Sequence, residues 1–147
     1  MMNRRHIWLA AAALIVTSLL MTACAQSTAP DRDPVMGMYP RNKDGYADIS
    51  VEQLNELLKS QDVTLVNVHI PYEGEISQTD LFIPFDEIAE HLDKLPAPDA
   101  PIVLYCRSGG MSTSAGEELA SLGYINVAEV DGGMRAWETA GYELLNH

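Results

Sequence analysis

From Tyr46 onward, short apolar runs alternate with segments in which apolar residues recur every three or four positions. Runs of the first kind predict strands at Tyr46 to Ile49, Val63 to Val68, Leu81 to Ile83, Ile102 to Tyr105 and Val127 to Val130. The run from Val63 to Val68 is almost continuously apolar, as expected of a strand covered on both faces. Between the runs, Ser50 and Gln53 form a capping box that opens a helix with Leu54, Leu57 and Leu58 on one side. Pro71 to Asp80 predicts a turn and a short helix. Asp86 predicts the cap of a helix that carries Ile88, Leu92 and Leu95, has His91 on an exposed side and ends before Pro96-Ala-Pro98. Ser112 to Leu122 predicts a helix stopped by Gly123, and Gly132-Gly133 a turn into a short helix around Trp137. Strand and helix in alternation imply an α/β fold, a mainly parallel sheet of about five strands with helices on both faces.

The chemistry concentrates in Ile102-Val-Leu-Tyr-Cys106-Arg107-Ser108-Gly109-Gly110-Met111-Ser112. A strand delivers a cysteine into a short loop, and a helix follows at once. Reactive groups of a parallel sheet collect at the carboxyl ends of its strands. A cysteine there meets free backbone N–H groups and the positive end of the next helix, which favour the reactive thiolate. Gly109 and Gly110 let the backbone fold tightly around whatever the sulfur carries. His69 ends its own strand near the expected place of Cys106, as a base, an ion partner or a rim residue. Gly132-Gly133 and Trp137 bring no proton-transfer chemistry and predict a tight turn with an indole packed on the sheet.

Before this domain, Arg4 and Arg5 precede an apolar stretch at 7–21, fifteen residues that match a signal-peptide core and fall short of the ~20 that span a bilayer. Ala23-Cys24 after Leu20-Met21-Thr22 resembles a bacterial lipoprotein processing site. The expected organisation is a signal peptide at 1–23, a flexible tether lipidated at Cys24 over 24–45, and a domain over 46–147. The product would be exported and membrane-anchored, facing the periplasm or the cell exterior. With Cys24 acylated, Cys106 has no disulfide partner among the two cysteines. Met36 and Met38 have no His or Cys close in sequence and are not expected to bind metal. The full chain carries a formal charge of −12. Loss of Arg4 and Arg5 with residues 1–23 takes Lys+Arg from 9 to 7 against 21 acids, a charge of −14. Such a surface argues against nucleic acid and against anionic head groups as partners.

The Cys106 loop resembles the active-site loop of rhodanese-like sulfurtransferases, which often read Cys-Arg-Ser-Gly-x-Arg-Ser. Gly123-Tyr124-x-Asn126-Val127, Gly132-Gly133-x-x-Ala136-Trp137 and Gly141-Tyr142 resemble the C-terminal signature of that family, and Leu65-Val66-Asn67-Val68 and Ile83-Pro84 its second strand and next helix start. The similarity covers about Tyr46 to Leu145. It implies a persulfide on Cys106, with Arg107 to Ser112 and His69 around the substrate. It also implies a small sulfane donor or protein persulfide, a thiol or cyanide-like acceptor, and no metal or organic cofactor. Three departures bear on the donor: Asn67-Val68-His69 for Asp-Val-Arg, no Gly-His-Ile segment, and Met111 where arginine or threonine is usual. Two alternatives stand beside this reading. One is a non-catalytic or redox-responsive sulfur carrier tethered to the envelope. The other is a cysteine phosphatase or arsenate reductase, whose loop needs arginine six positions after the cysteine to grip an oxyanion. Ser112 holds that position, and the loop is one residue short for a phosphate.

Overall fold

The computed structural model describes residue 37 and residues 39–145. The expected signal peptide, Cys24, Met36 and Met38 lie outside the described residues. Among those described, no helix is long and apolar enough to cross a membrane.

Five strands form one parallel sheet: β1 (Ala47–Ile49), β2 (Thr64–Asn67), β4 (Leu81–Phe82), β5 (Ile102–Tyr105) and β6 (Val127–Val130), in the order β1-β6-β5-β2-β4. In the middle of the sheet, β5 and β6 are buried along their whole length, which is why these runs read as apolar without alternation. One face is covered by α1 (Val51–Ser60) and α3 (Gly133–Thr139), through a cluster that includes Leu54, Leu57, Leu65, Val103, Met134 and Trp137. The other face is covered by α2 (Gly110–Ser121) and a 3₁₀ segment, Phe85–Lys94, through Val66, Ile88, Leu104, Cys106, Ala115 and Leu119.

The α1 capping box forms as expected. Ser50 Oγ accepts from the Gln53 amide at 3.3 Å, and Gln53 Oε1 accepts from the Ser50 amide at 2.7 Å. Trp137 is buried, its ring packed on Tyr142 with centroids 4.4 Å apart and planes tilted by 35°, and Nε1 donates to the Glu143 carbonyl at 3.1 Å.

Two expectations are corrected. Pro71 to Asp80 contains no helix. It forms β3 (Glu75–Ile76), which pairs antiparallel with a strand absent from the sequence reading, β7 (Leu144–Leu145). Ile76 is buried, and its amide donates to the Tyr105 hydroxyl at 3.1 Å, so contacts distant in sequence override the local pattern. The segment after Ile83 is 3₁₀ rather than α-helical, and Asp86 does not cap it. Pro84 sits at the cap and has no side-chain acceptor, and the segment kinks at His91. His91 is half-buried and faces Glu87 at 3.5 Å.

The stretch expected as the far end of a tether lies on the domain from Tyr39. Tyr39 packs on the first cluster, Arg41 bridges Ala47, and the Asn42 amide donates to the Tyr46 carbonyl at 2.7 Å.

Candidate active site around Cys106

β5 ends at Tyr105, and Cys106 begins the turn into α2. Gly109 stands at the helix cap with φ 104°, a left-handed conformation that side chains disfavour. The tight turn brings the Gly109 amide to 3.1 Å from the Cys106 sulfur, and the Ser112 hydroxyl to 3.5 Å. Cys106 is only 2% exposed, so the sulfur lies at the floor of the loop rather than on its rim. Burial pushes the thiol up. The Ser112 hydroxyl and the amides of Ser112, Ser108 and Gly109 together outweigh it, and the thiol lies below its ordinary value. This is the environment of a nucleophile, with backbone donors aimed at a negative sulfur.

The loop is held from below by the Gly132-Gly133 turn, in the structural role expected of it. At the start of α3, the Met134 amide donates to the Cys106 carbonyl at 2.9 Å and the Arg135 amide to the Arg107 carbonyl at 3.0 Å. Gly133 makes this approach possible, since a Cβ there would lie 2.1 Å from the Cys106 carbonyl oxygen.

The expected site residues separate into three groups. Cys106, Gly109 and Ser112 surround the sulfur. Ser108 and Gly110 are exposed around them, with the Ser108 amide directed at the sulfur. Met111 was expected among the substrate-binding residues, yet its side chain packs against the second core cluster. An apolar side chain at the start of a helix that covers a sheet gains more from burial than from facing solvent.

His69 and Arg107 are joined through a residue that the sequence reading missed. Glu73 Oε2 accepts from His69 Nε2 at 3.1 Å and forms a close ion pair with Arg107 Nη1. The Arg107 and His69 hydrogen bonds hold the Glu73 carboxyl below the usual carboxylate range. His69 is 7% exposed, and its Nδ1 is buried without a hydrogen-bond partner. Asn67 arranges this corner. Its Nδ2 donates to the Gly74 carbonyl at 3.0 Å, and its Oδ1 accepts from the His69 amide at 3.0 Å. The chain order Pro71-Tyr-Glu73 carries no local signal for that pairing, which depends on a loop fold set by Asn67 and β3.

Ser112 also has a second neighbour that no motif marked. Its hydroxyl lies 2.7 Å from Glu129 Oε2, on β6. Glu129 is 4% exposed, an acid inside a run of apolar strand residues.

The comparisons with known proteins agree with this architecture. A family model described as Rhodanese-like domain matches residues 50–140. A sulfurtransferase of Allochromatium vinosum is 33% identical over 102 residues, which are 67% of this chain and 94% of that protein. A thiosulfate sulfurtransferase of Pseudoalteromonas translucida is 29% identical over 109 residues, 68% of this chain and 96% of that protein. Among solved structures, a rhodanese-related protein of Thermoplasma volcanium is 30% identical with a TM-score of 0.60, covering 69% of this chain and 100% of that one. The family model covers more than half of the chain, over the segment that carries the sheet and the Cys106 loop, and the chain belongs to the rhodanese-like domain family.

Proposed function

We propose that Cys106 takes a sulfur atom from a sulfane donor and passes it to a nucleophilic acceptor. The thiolate attacks the outer sulfur of the donor. The donor's S–S bond breaks, its remainder leaves with the electron pair, and Cys106 becomes a persulfide. An acceptor thiolate or cyanide-like nucleophile then attacks the outer sulfur, and the Cys106 thiolate leaves. The observation that carries this reading is the cradle of donors around one buried sulfur, with the Gly109 amide at 3.1 Å and the Ser112 hydroxyl at 3.5 Å. The sulfurtransferase relatives support sulfur transfer in general. The test is intact mass of the full chain after thiosulfate or glutathione persulfide. A gain of one sulfur on Cys106 that a thiol then removes is expected, and its absence with both donors overturns the reading. Uptake without repeated turnover marks a sulfur carrier instead. A phosphatase or arsenate reductase is disfavoured by the buried acid Glu129 beneath Ser112, which repels a tetrahedral oxyanion.

The donor we propose is a low-charge or protein-borne persulfide rather than thiosulfate. Glu73 already occupies the Arg107 guanidinium and His69 Nε2, the donors that a dianion would need. Beside it, Tyr72 and Phe82 stand edge to face at 5.6 Å, each 43% exposed, an apolar rim suited to a larger or less charged donor. Glu73→Gln is expected to release Arg107 and lower the KM for thiosulfate by about threefold or more, as for removal of a half-exposed ion pair. The neutral persulfide should respond little. A wild-type protein that prefers thiosulfate, and a Glu73→Gln variant with unchanged KM, would contradict this specificity.

We further propose export and lipid anchoring at Cys24, supported by Arg4, Arg5, the apolar stretch 7–21 and Ala23-Cys24. Cys24→Ser should yield a chain without acyl groups that leaves the membrane fraction. Unchanged fractionation and acylation would dismiss the anchor.

A further inference from the structure

Glu129 is a buried carboxylate with no ion-pair partner among the described residues. In the sheet it lies opposite Asp48 of β1 and Leu104 of β5. In-register neighbours share a face of the sheet, so Glu129 points to the same side as Leu104 and, two residues on, Cys106. The groups that face it are Asp48 and Tyr46 from the β1 side, Asp131 at the end of its own strand, and Ser112 from α2. Both charged neighbours are acids, so nothing there offsets the cost of burying a charge. Burial, Asp48 and Asp131 hold the carboxyl above its ordinary range, and the Ser112 hydroxyl pulls against them.

Ser112 stands between this acid and the sulfur. Its Oγ lies 2.7 Å from Glu129 Oε2, 2.9 Å from the Gly109 carbonyl and 3.5 Å from Cys106 Sγ. One hydroxyl carries one proton and cannot serve three acceptors. The Gly109 carbonyl is a neutral acceptor that also takes the Thr113 amide at 2.8 Å, whereas carboxylate and thiolate are charged acceptors, so the stronger competition is between those two. When Glu129 is ionised, the shorter, charge-assisted bond takes the proton, and Ser112 turns a lone pair toward the sulfur. When Glu129 is protonated, it donates to Ser112, whose hydroxyl is then released to the thiolate. Two negative charges this close in a buried site also disfavour each other. The pair therefore favours one negative charge, on either carboxylate or sulfur.

We propose that Glu129 stores the proton that Cys106 releases, with the Ser112 hydroxyl as the bridge. The Cys106 S–H proton passes to Ser112 Oγ while the Ser112 hydroxyl proton passes to Glu129 Oε2. One S–H bond is lost and one carboxylic O–H bond is made. The charge moves from carboxylate to sulfur, and nothing is oxidised or reduced. The same path returns the proton when the persulfide is discharged and the Cys106 thiolate is released. Glu129 is a positioning residue in this scheme, because it acts through Ser112. The inference rests on the proposed function only in taking Cys106 as the reacting group. Its test reads thiol ionisation, so it can fail while sulfur transfer stands.

The experiment is the rate of Cys106 alkylation by iodoacetamide against pH, on the full chain, for wild type, Glu129→Gln, Ser112→Ala and the double variant. Glutamine imitates the protonated acid. Its amide donates to Ser112 and its charge is gone. The thiolate midpoint should fall in Glu129→Gln by about one pH unit, a tenfold gain in thiolate at low pH. Ser112→Ala should raise the midpoint, and Glu129→Gln should shift it little in that background. No fall in the single variant overturns the proposal. An equal fall with and without Ser112 also overturns it, since the coupling would then be a field effect and not a bridge. A second measurement needs no substitution at Glu129. The ¹³C resonance of its labelled carboxyl should titrate in two steps in wild type and in one step in Cys106→Ser. A single step in both overturns the proposal as well.

Discussion

Replacing Cys106 with serine is expected to abolish sulfur transfer, by a factor on the order of 10⁴ or more, as for loss of a nucleophile that no other group replaces. A serine hydroxyl is not ionised near neutral pH and does not form a persulfide. Among the described residues Cys106 is the free cysteine, so no neighbouring thiol substitutes for it. The fold should survive. Cys106 is buried, but the smaller hydroxyl still meets the Gly109 amide and Ser112, and hydrogen bonds of about 1 kcal/mol each limit the cost of burying it. The checks are initial rate with a sulfane donor, intact mass after donor, and a thermal melt. Turnover retained in a folded Cys106→Ser protein would remove the persulfide from the mechanism.

Gly133→Ala should damage the same loop from the opposite side, through stability. The added Cβ would lie 2.1 Å from the Cys106 carbonyl oxygen, 2.9 Å from its carbonyl carbon and 3.0 Å from that of Arg107. These are backbone atoms, so no side chain can swing away. The residue also has φ +54°, a left-handed conformation that alanine disfavours. Relief requires α3 to withdraw from the loop. That breaks the bonds from the Met134 and Arg135 amides to the Cys106 and Arg107 carbonyls. A loss of about 3–5 kcal/mol follows, at the upper end for single substitutions. The urea midpoint should fall accordingly, and the low thiol value should drift back toward that of a free thiol. Gly110→Ala is the control. No atom lies within 4 Å of its Cβ, and the position is the first of α2. Its stability should stay within about 0.5 kcal/mol of wild type. Equal stability of the two variants would show that the loop and α3 are not locked together.

Much of this architecture was legible along the chain, because its signals are local. Leu65 to Asn67, Ile102 to Tyr105 and Val127 to Val130 are strands buried on both faces, and a short apolar run records that directly. The α1 cap was legible because Ser50 and Gln53 are three residues apart and satisfy each other's backbone. The loop that surrounds the Cys106 sulfur with donors was legible because strand, cysteine, glycines and helix follow one another within a dozen residues. The misread elements lack local signals. β3 exists because Leu144–Leu145 pairs with it, and β7 exists because β3 does. Each is two residues long, too short for any periodicity. The 3₁₀ segment has the apolar spacing of an α-helix, with Ile88, Leu92 and Leu95 on the core, and spacing alone does not separate the two.

The site divides along the same line. Consecutive residues specify a thiol among backbone donors, the nucleophile of the proposed function, since cysteine, loop amides and helix start are neighbours in the chain. The charge around that thiol does not follow from neighbours in the chain. Glu73 reaches Arg107 across 34 residues, and Glu129 reaches Ser112 across 17. In the sequence one is an acid in a loop and the other an acid in a strand, each unremarked by any motif. Folding removes Glu129 from water beside Ser112 and sets Glu73 against Arg107 and His69. Electrostatic effects depend on distance and burial rather than on order along the chain. Which anions the site tolerates and where its proton rests are therefore properties of the folded sheet.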